Sequence, residues 1–184
     1  MIVPPSKIGG FLNPTNIIES LGIVQSGMRI ADFGCGHGYF TIPLAKKVGS
    51  GGRVYAVDVM QESLDVVNAE AKSENLGNIE TVRGNLEKVG GSGVENGGID
   101  VVLMLNLLFQ TENDQQVVQE ARRVLKTNGK VIFIDWRKDV PLGPVGKRIE
   151  PGKATELFQN EQFVLERKFN TDSYHYGLVF VKQV

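Results

Sequence analysis

The chain has 184 residues, 41% of them hydrophobic and 22% charged, with a net charge of −1 at pH 7; this supports one domain over 1–184 with a full core and gives no electrostatic case for nucleic acid as an obligate partner. Its one cysteine, Cys35, excludes an internal disulfide and a Cys-rich metal centre. No basic segment followed by an apolar stretch opens the sequence and no apolar run approaches ~20 residues, so a cytoplasmic protein without a membrane partner is expected.

Residues 1–12, with Pro4, Pro5, Gly9 and Gly10, read as an extended arm. Asn13-Pro14 then caps and opens a short helix that Gly22 closes, so that 1–25 forms an arm and a helix ahead of the main body. An apolar run ending at Phe33 predicts the first strand, and three glycines (Gly34, Gly36, Gly38) lead into a helix that starts near Phe40 and runs to Val48. A second strand over 53–57 ends at Asp58, and Leu64, Val67 and Ala71 recur at helical spacing over 61–75. A short strand over 79–82 precedes a glycine-rich crossing at 84–98. The continuous apolar run 99–105 predicts a strand buried on both faces. A helix over 112–126, ended by Asn128-Gly129, and a strand over 131–134 follow. A Pro/Gly loop at 139–150, a helix to about 160 and strands over 163–169 and 174–182 complete the chain.

This alternation predicts an α/β fold, a doubly wound and mostly parallel sheet with helices on both faces. The link 170–173 is too short for a crossover helix, so the last two strands are expected as an antiparallel hairpin.

The glycine turn carries the chemistry. Glycines stand where a ligand must approach bare backbone, and Asp32 sets a carboxylate at the carboxyl end of the first strand, where open α/β sheets bind ligands. A carboxylate there repels phosphate and suits an ammonium, so the turn reads as a site for a nucleoside with an amino-acid tail. The dinucleotide fingerprint is the nearest competitor. It places its third glycine where this chain has Tyr39, whose side chain obstructs the close helix–strand approach.

The run Asp32-Phe33-Gly34-Cys35-Gly36-His37-Gly38 resembles motif I of class I S-adenosyl-L-methionine (SAM) dependent methyltransferases. The resemblance covers about 27–137 through its motifs, including Arg122-Arg123-Val124-Leu125-Lys126, and the remainder through topology. It implies a Rossmann-like seven-stranded sheet whose last strand inserts between its two predecessors, and SAM as cofactor. The cofactor-binding residues it implies are Asp32, Gly34, Cys35, Gly36, Tyr39 and Phe40 around the turn, and Asp58 with Val59 at the ribose. Asn85 and Leu86 would meet the adenine, and Asn106 would face the methionine part. Asp58 as a helix cap and Asn85 as a plain turn residue are the competing roles.

Substrate-pocket candidates are Phe11 and Leu12 on the arm, Trp136 after the fifth strand, and Tyr174 and His175 at the last. Phe11 or Leu12 is expected to cover the cofactor's methionine moiety, with Gly9-Gly10 as the hinge, although both could instead anchor the first helix. His175 is a candidate proton-handling group, a structural histidine being the alternative. The segment 106–111 has neither the Asp/Asn-Pro-Pro-aromatic pattern of adenine amino-methyltransferases nor a general base. The expected acceptor is a small molecule, with protein or RNA second; a SAM-binding but inactive module and a nicotinamide oxidoreductase are the further alternatives. A single cysteine also sets the chain apart from arsenic-methylating relatives, which use several thiols.

Overall fold

The computed structural model describes residues 11–184, so the Gly9-Gly10 hinge and most of the expected arm lie outside the described residues. Seven strands form one sheet: β1 (Arg29–Phe33), β2 (Arg53–Asp58), β3 (Ile79–Arg83), β4 (Ile99–Leu105), β5 (Leu125–Trp136), β6 (Phe163–Phe169) and β7 (His175–Lys182). Their order is β3-β2-β1-β4-β5-β7-β6. The first five are parallel, and β7 runs antiparallel to both β5 and β6. The last strand thus inserts between its predecessors, as the family resemblance implied.

Helices α1 (Pro14–Leu21), α2 (Thr41–Val48) and α3 (Gln61–Ser73) precede β4, and α4 (Asp114–Val124) and α5 (Pro151–Asn160) follow it. Asn13 caps α1 by accepting from Asn16 N, and Gly22 ends it in the left-handed region at φ 63°. Leu12, Ile17, Ile18 and Leu21 pack with α2 and one face of the sheet. On the other face α4 and α5 cover Phe133, Phe163 and Phe180, and the Phe158 ring stacks on Phe180 with centroids 4.1 Å apart. Burying each such ring contributes about 1.5–3 kcal/mol.

Several expected boundaries move, two of them with a clear cause. The glycine-turn helix begins at Thr41, with Phe40 at its N-cap. The fourth long helix stops at Val124 and β5 starts at once, because Leu125 pairs with Ile99 before the ladder breaks and resumes at Val101 opposite Lys130. Asn128, at φ 62°, lies in that irregularity. Asn128-Gly129 therefore marks a bulge within a strand rather than a helix end.

The glycine-rich crossing is pinned from α4. Glu120, fully buried, accepts from Gly90 N (2.7 Å) and Ser92 N (2.9 Å) and receives both arms of the Arg123 guanidinium (2.7 and 2.8 Å). Burial alone would raise its carboxyl, yet the Arg123 and Ser92 hydrogen bonds hold it down at about 2. Among the described residues no helix is long and apolar enough to cross a membrane.

Candidate functional site

Strand order reverses between β1 and β4, and the crevice at their carboxyl ends is where such sheets bind ligands. The chain leaves β1 through Gly34 N and Cys35 N, which both donate to Val57 O (2.8 and 3.1 Å). Gly36 follows at φ 51°, and a Cβ placed on it would meet no atom within 4 Å. Its bare backbone faces open space, and its left-handed φ favours glycine.

That space is a cleft of about 310 Å³ lined by Gly34, Gly36, Asp58, Val59, Asn85 and Leu86, with Gln110 and Thr111 across from them. Asp58 closes its floor: Oδ2 accepts from Gly36 N and Oδ1 from Met60 N, each at 2.9 Å. Each oxygen retains a lone pair for a further donor. Asp58 does not cap α3, whose N-cap is Met60 without a side-chain cap bond; its carboxylate clasps the turn instead and keeps acceptor capacity. Asn85 is exposed, and its Oδ1 accepts from Glu87 N at 2.9 Å, the turn role weighed from the sequence. Leu86 is buried and presents the apolar wall.

Other expected residues take different places. Cys35 is buried with Ala56, Leu64 and Val67, and burial followed by the nearby Asp32 and Asp58 charges pushes its thiol up, so it is no nucleophile. Phe40 turns into the core at 2% exposure, and the structure does not bring its ring to the cleft. Leu12 is likewise a core residue and anchors α1, which corrects its candidacy as a cover. Tyr39 stays half exposed, and its hydroxyl donates to Leu12 O at 2.8 Å, tying the N-terminal segment to the turn.

Asp32 is buried beneath the turn and accepts from Thr41 Oγ1 at 2.6 Å. Burial raises its carboxyl to about 6 against the pull of Thr41, and the Asp58 charge adds to the rise. Thr41, fully buried at the start of α2, was not legible as a site residue; its signal was a hydroxyl on the apolar face of that helix.

Beside β4 lies a second group. Asn106 leaves that strand at φ 47° while its N–H donates to Ile134 O at 2.8 Å. Its Nδ2 meets His175 Nε2 at 3.2 Å, and its Oδ1 is buried without a partner. The β5–β7 register sets Trp136 opposite His175, their ring centroids 4.1 Å apart. A Cβ on Gly143 would fall 2.5 Å from the indole, so only glycine lets the 139–150 loop lie on that face. Phe11 stacks on Tyr174 at 5.3 Å and meets Trp136 edge-on at 6.2 Å. The structure therefore brings Phe11, Trp136, Tyr174, His175 and Asn106 together.

Two features were not anticipated. Arg148 donates to the carbonyls of Arg137, Val140, Leu142 and Pro144, clasping the 139–150 loop from within. Asp135, fully buried, accepts from Trp136 N at 2.7 Å while its Oδ2 lacks a partner, and burial raises its carboxyl to about 7. A cleft of about 510 Å³ between Met28, Asp100, Lys126 and Glu166 lies at the opposite, amino-terminal edge of β1 and β4. Four of its charges pair internally, Lys126 with Asp100 and Lys130 with Glu166, both at 2.6 Å, and Arg167 donates to Leu21 O.

A family model described as a methyltransferase domain matches residues 24–174, which hold the turn, the cleft and Asn106. The chain belongs to that family. Among curated proteins, this methyltransferase domain is 34% identical over 110 residues to a demethylmenaquinone methyltransferase of Lactococcus lactis, covering 60% of this chain and 42% of that protein. It is 31% identical over 112 residues to the arsenite methyltransferase of Homo sapiens, covering 58% of this chain and 30% of that protein. The domain thus spans less than half the length of either relative. A SAM-dependent methyltransferase structure from Aquifex aeolicus shares its fold at a TM-score of 0.85 and 22% identity, over 97% of this chain and 93% of the other.

Proposed function

We propose that the chain is a SAM-dependent methyltransferase acting on a small-molecule acceptor. The observation that carries this reading is the cleft at the β1/β4 switch point, with open backbone at Gly36 above a carboxylate, Asp58, that keeps acceptor capacity. The residues suit SAM. Asp58 offers acceptors to a pair of ribose hydroxyls, Val59 and Leu86 supply apolar walls for a base, and the unpartnered Asn106 Oδ1 suits the ammonium of an amino-acid tail. Asp32 sits beneath the turn as a buried negative charge on the same side.

When bound, SAM supplies a methyl group made electrophilic by a positively charged sulfur. The chain's own task is to place an acceptor in line and exclude water. Both His175 ring nitrogens are engaged, so proton removal falls to the acceptor's own acidity or to solvent. A planar, largely apolar acceptor is favoured by the aromatic group Phe11, Trp136 and Tyr174 at the carboxyl edge. Of the acceptors in the relatives' names, a quinone-type ring suits this group better than arsenite, since the single thiol is buried. Protein or RNA is the second reading for the acceptor.

Calorimetry with SAM and with NAD tests the cofactor. Binding of NAD but not SAM would overturn the proposal. Methyl-labelled SAM incubated with a metabolite extract then identifies the acceptor class, and labelling of protein or RNA fractions alone would move the reading there.

A further inference from the structure

The Asp172–His175–Asn106 chain has an order of its own. Asp172 Oδ1 accepts from the backbone N–H of Tyr174 and of His175, both at 2.8 Å, which fixes the carboxylate in the turn before β7. Its two oxygens lie 2.9 and 3.0 Å from His175 Nδ1. A carboxylate only accepts, so Nδ1 carries the ring proton and Nε2 presents its lone pair. That lone pair can be met only by an N–H, so Asn106 must offer its amide nitrogen and turn Oδ1 away from the ring. The result is the buried, unpartnered Asn106 Oδ1.

We infer that His175 is a positioning residue rather than a catalytic base: Asp172 fixes its tautomer, and the ring in turn fixes the Asn106 amide so that its buried, unpartnered Oδ1 is held as an acceptor beside the end of β4. The inference rests on the reading of Asn106 as part of the SAM site. Protonation of Nε2 reverses the arrangement. Two donors would then oppose each other, the amide would turn over to accept from the ring, and an N–H₂ would replace the acceptor presented to an ammonium.

The groups packed on the ring are Asn106 from the end of β4, Trp136 from β5, Phe11 from the N-terminal segment and Asp172 from the preceding turn. Asp172 alone among them is charged. Burial lowers the His175 pKa from the ordinary value of 6.5 and outweighs the opposing Asp172 carboxylate, so the acceptor state holds at neutral pH. It is lost as pH falls through that lowered value.

Nitrogen NMR of the ligand-free protein reads the tautomer directly, and with only two histidines in the chain a His175→Gln variant assigns the signals. The Nδ1–H form is expected at pH 7, titrating below 6.5; an Nε2–H form overturns the inference. SAM affinity by calorimetry supplies the second readout. His175→Leu removes the acceptor for Asn106 and is expected to weaken binding at pH 7 by about tenfold, the loss of one hydrogen bond to a charged group. His175→Gln can accept from the same N–H through its amide oxygen without titrating, and is expected to recover most of that loss.

Between pH 7 and 5 Asp32 also titrates near the turn, so the comparison of wild type with His175→Gln isolates the histidine. Wild type is expected to lose at least about threefold more affinity over that range than the Gln variant. Equal losses, or wild-type affinity in His175→Leu, overturn the inference. If wild type binds no SAM at pH 7, the cofactor reading falls, and the tautomer of the ligand-free protein still decides whether the relay exists.

Discussion

Glu120→Gln removes one charge from a fully buried position and keeps nearly the same volume. In the native protein the carboxylate satisfies two backbone donors of the crossing, Gly90 N and Ser92 N, and both arms of Arg123. A carboxyl depressed from 4.5 to about 2 represents about 3 kcal/mol of stabilisation at neutral pH. The amide can accept on one atom only and sets its N–H₂ against a donor, so a loss of about 2–3 kcal/mol is expected. In a domain of this size that is a fall in Tm of about 4–12 °C. Urea unfolding at a series of pH values checks both size and sign. Because the folded-state value is depressed, the stabilisation is complete above 4.5 and disappears as pH falls toward 2, so the gap between wild type and variant should close over that window. A gap under about 1 kcal/mol at pH 7, or one that does not change with pH, would refute this account of the buried carboxylate.

Asp58→Ala is expected to weaken SAM binding at least about tenfold in calorimetry, since a charge-assisted hydrogen bond is worth about 1.5–3 kcal/mol; unchanged affinity in a folded variant would remove the ribose assignment. Gly36→Val sets a branched side chain into the open space above Asp58 at a left-handed φ, and is expected to abolish SAM binding together with a loss of about 1–2 kcal/mol of stability. Normal binding by that variant would mean that the turn is not the cradle. Phe11→Ala opens the aromatic group beside Trp136 and Tyr174 without touching the core, so turnover of the acceptor should fall while Tm shifts by only about 2–4 °C; a larger loss of stability would assign Phe11 an anchoring role.

Strand positions and the antiparallel hairpin were legible because they rest on local periodicity and on the length of a connection, whereas the inserted last strand was implied by the family resemblance alone. Asp58 was legible for a similar reason, as a carboxylate at a strand end beside a glycine turn. Glu120 was not, since nothing in Gln119-Glu120-Ala121 distinguishes a buried clasp from an ordinary solvated helix residue until the crossing folds onto it. Phe40 and Cys35 were misplaced because a motif gives the path of the backbone and leaves open which way a side chain turns. Leu12 precedes α1 and packs with its apolar face, and only the packed helix decided between the anchoring and covering roles weighed from the sequence. The bulge at Asn128 escaped because Asn-Gly ends helices and kinks strands with the same left-handed backbone.

The insertion of β7 between β5 and β6 bears on how the protein is made. During synthesis β5 emerges with one edge unpaired, and β6 emerges later with no neighbour to receive it. Both must wait for β7, about 40 residues behind the end of β5, which takes about 2–8 s at ordinary elongation rates. For that interval the apolar run Val131–Ile134 is an open template for other nascent chains. Slower translation beyond β5 should therefore increase aggregation, and a chaperone that shields this edge should relieve it, with no change in the stability of the finished protein.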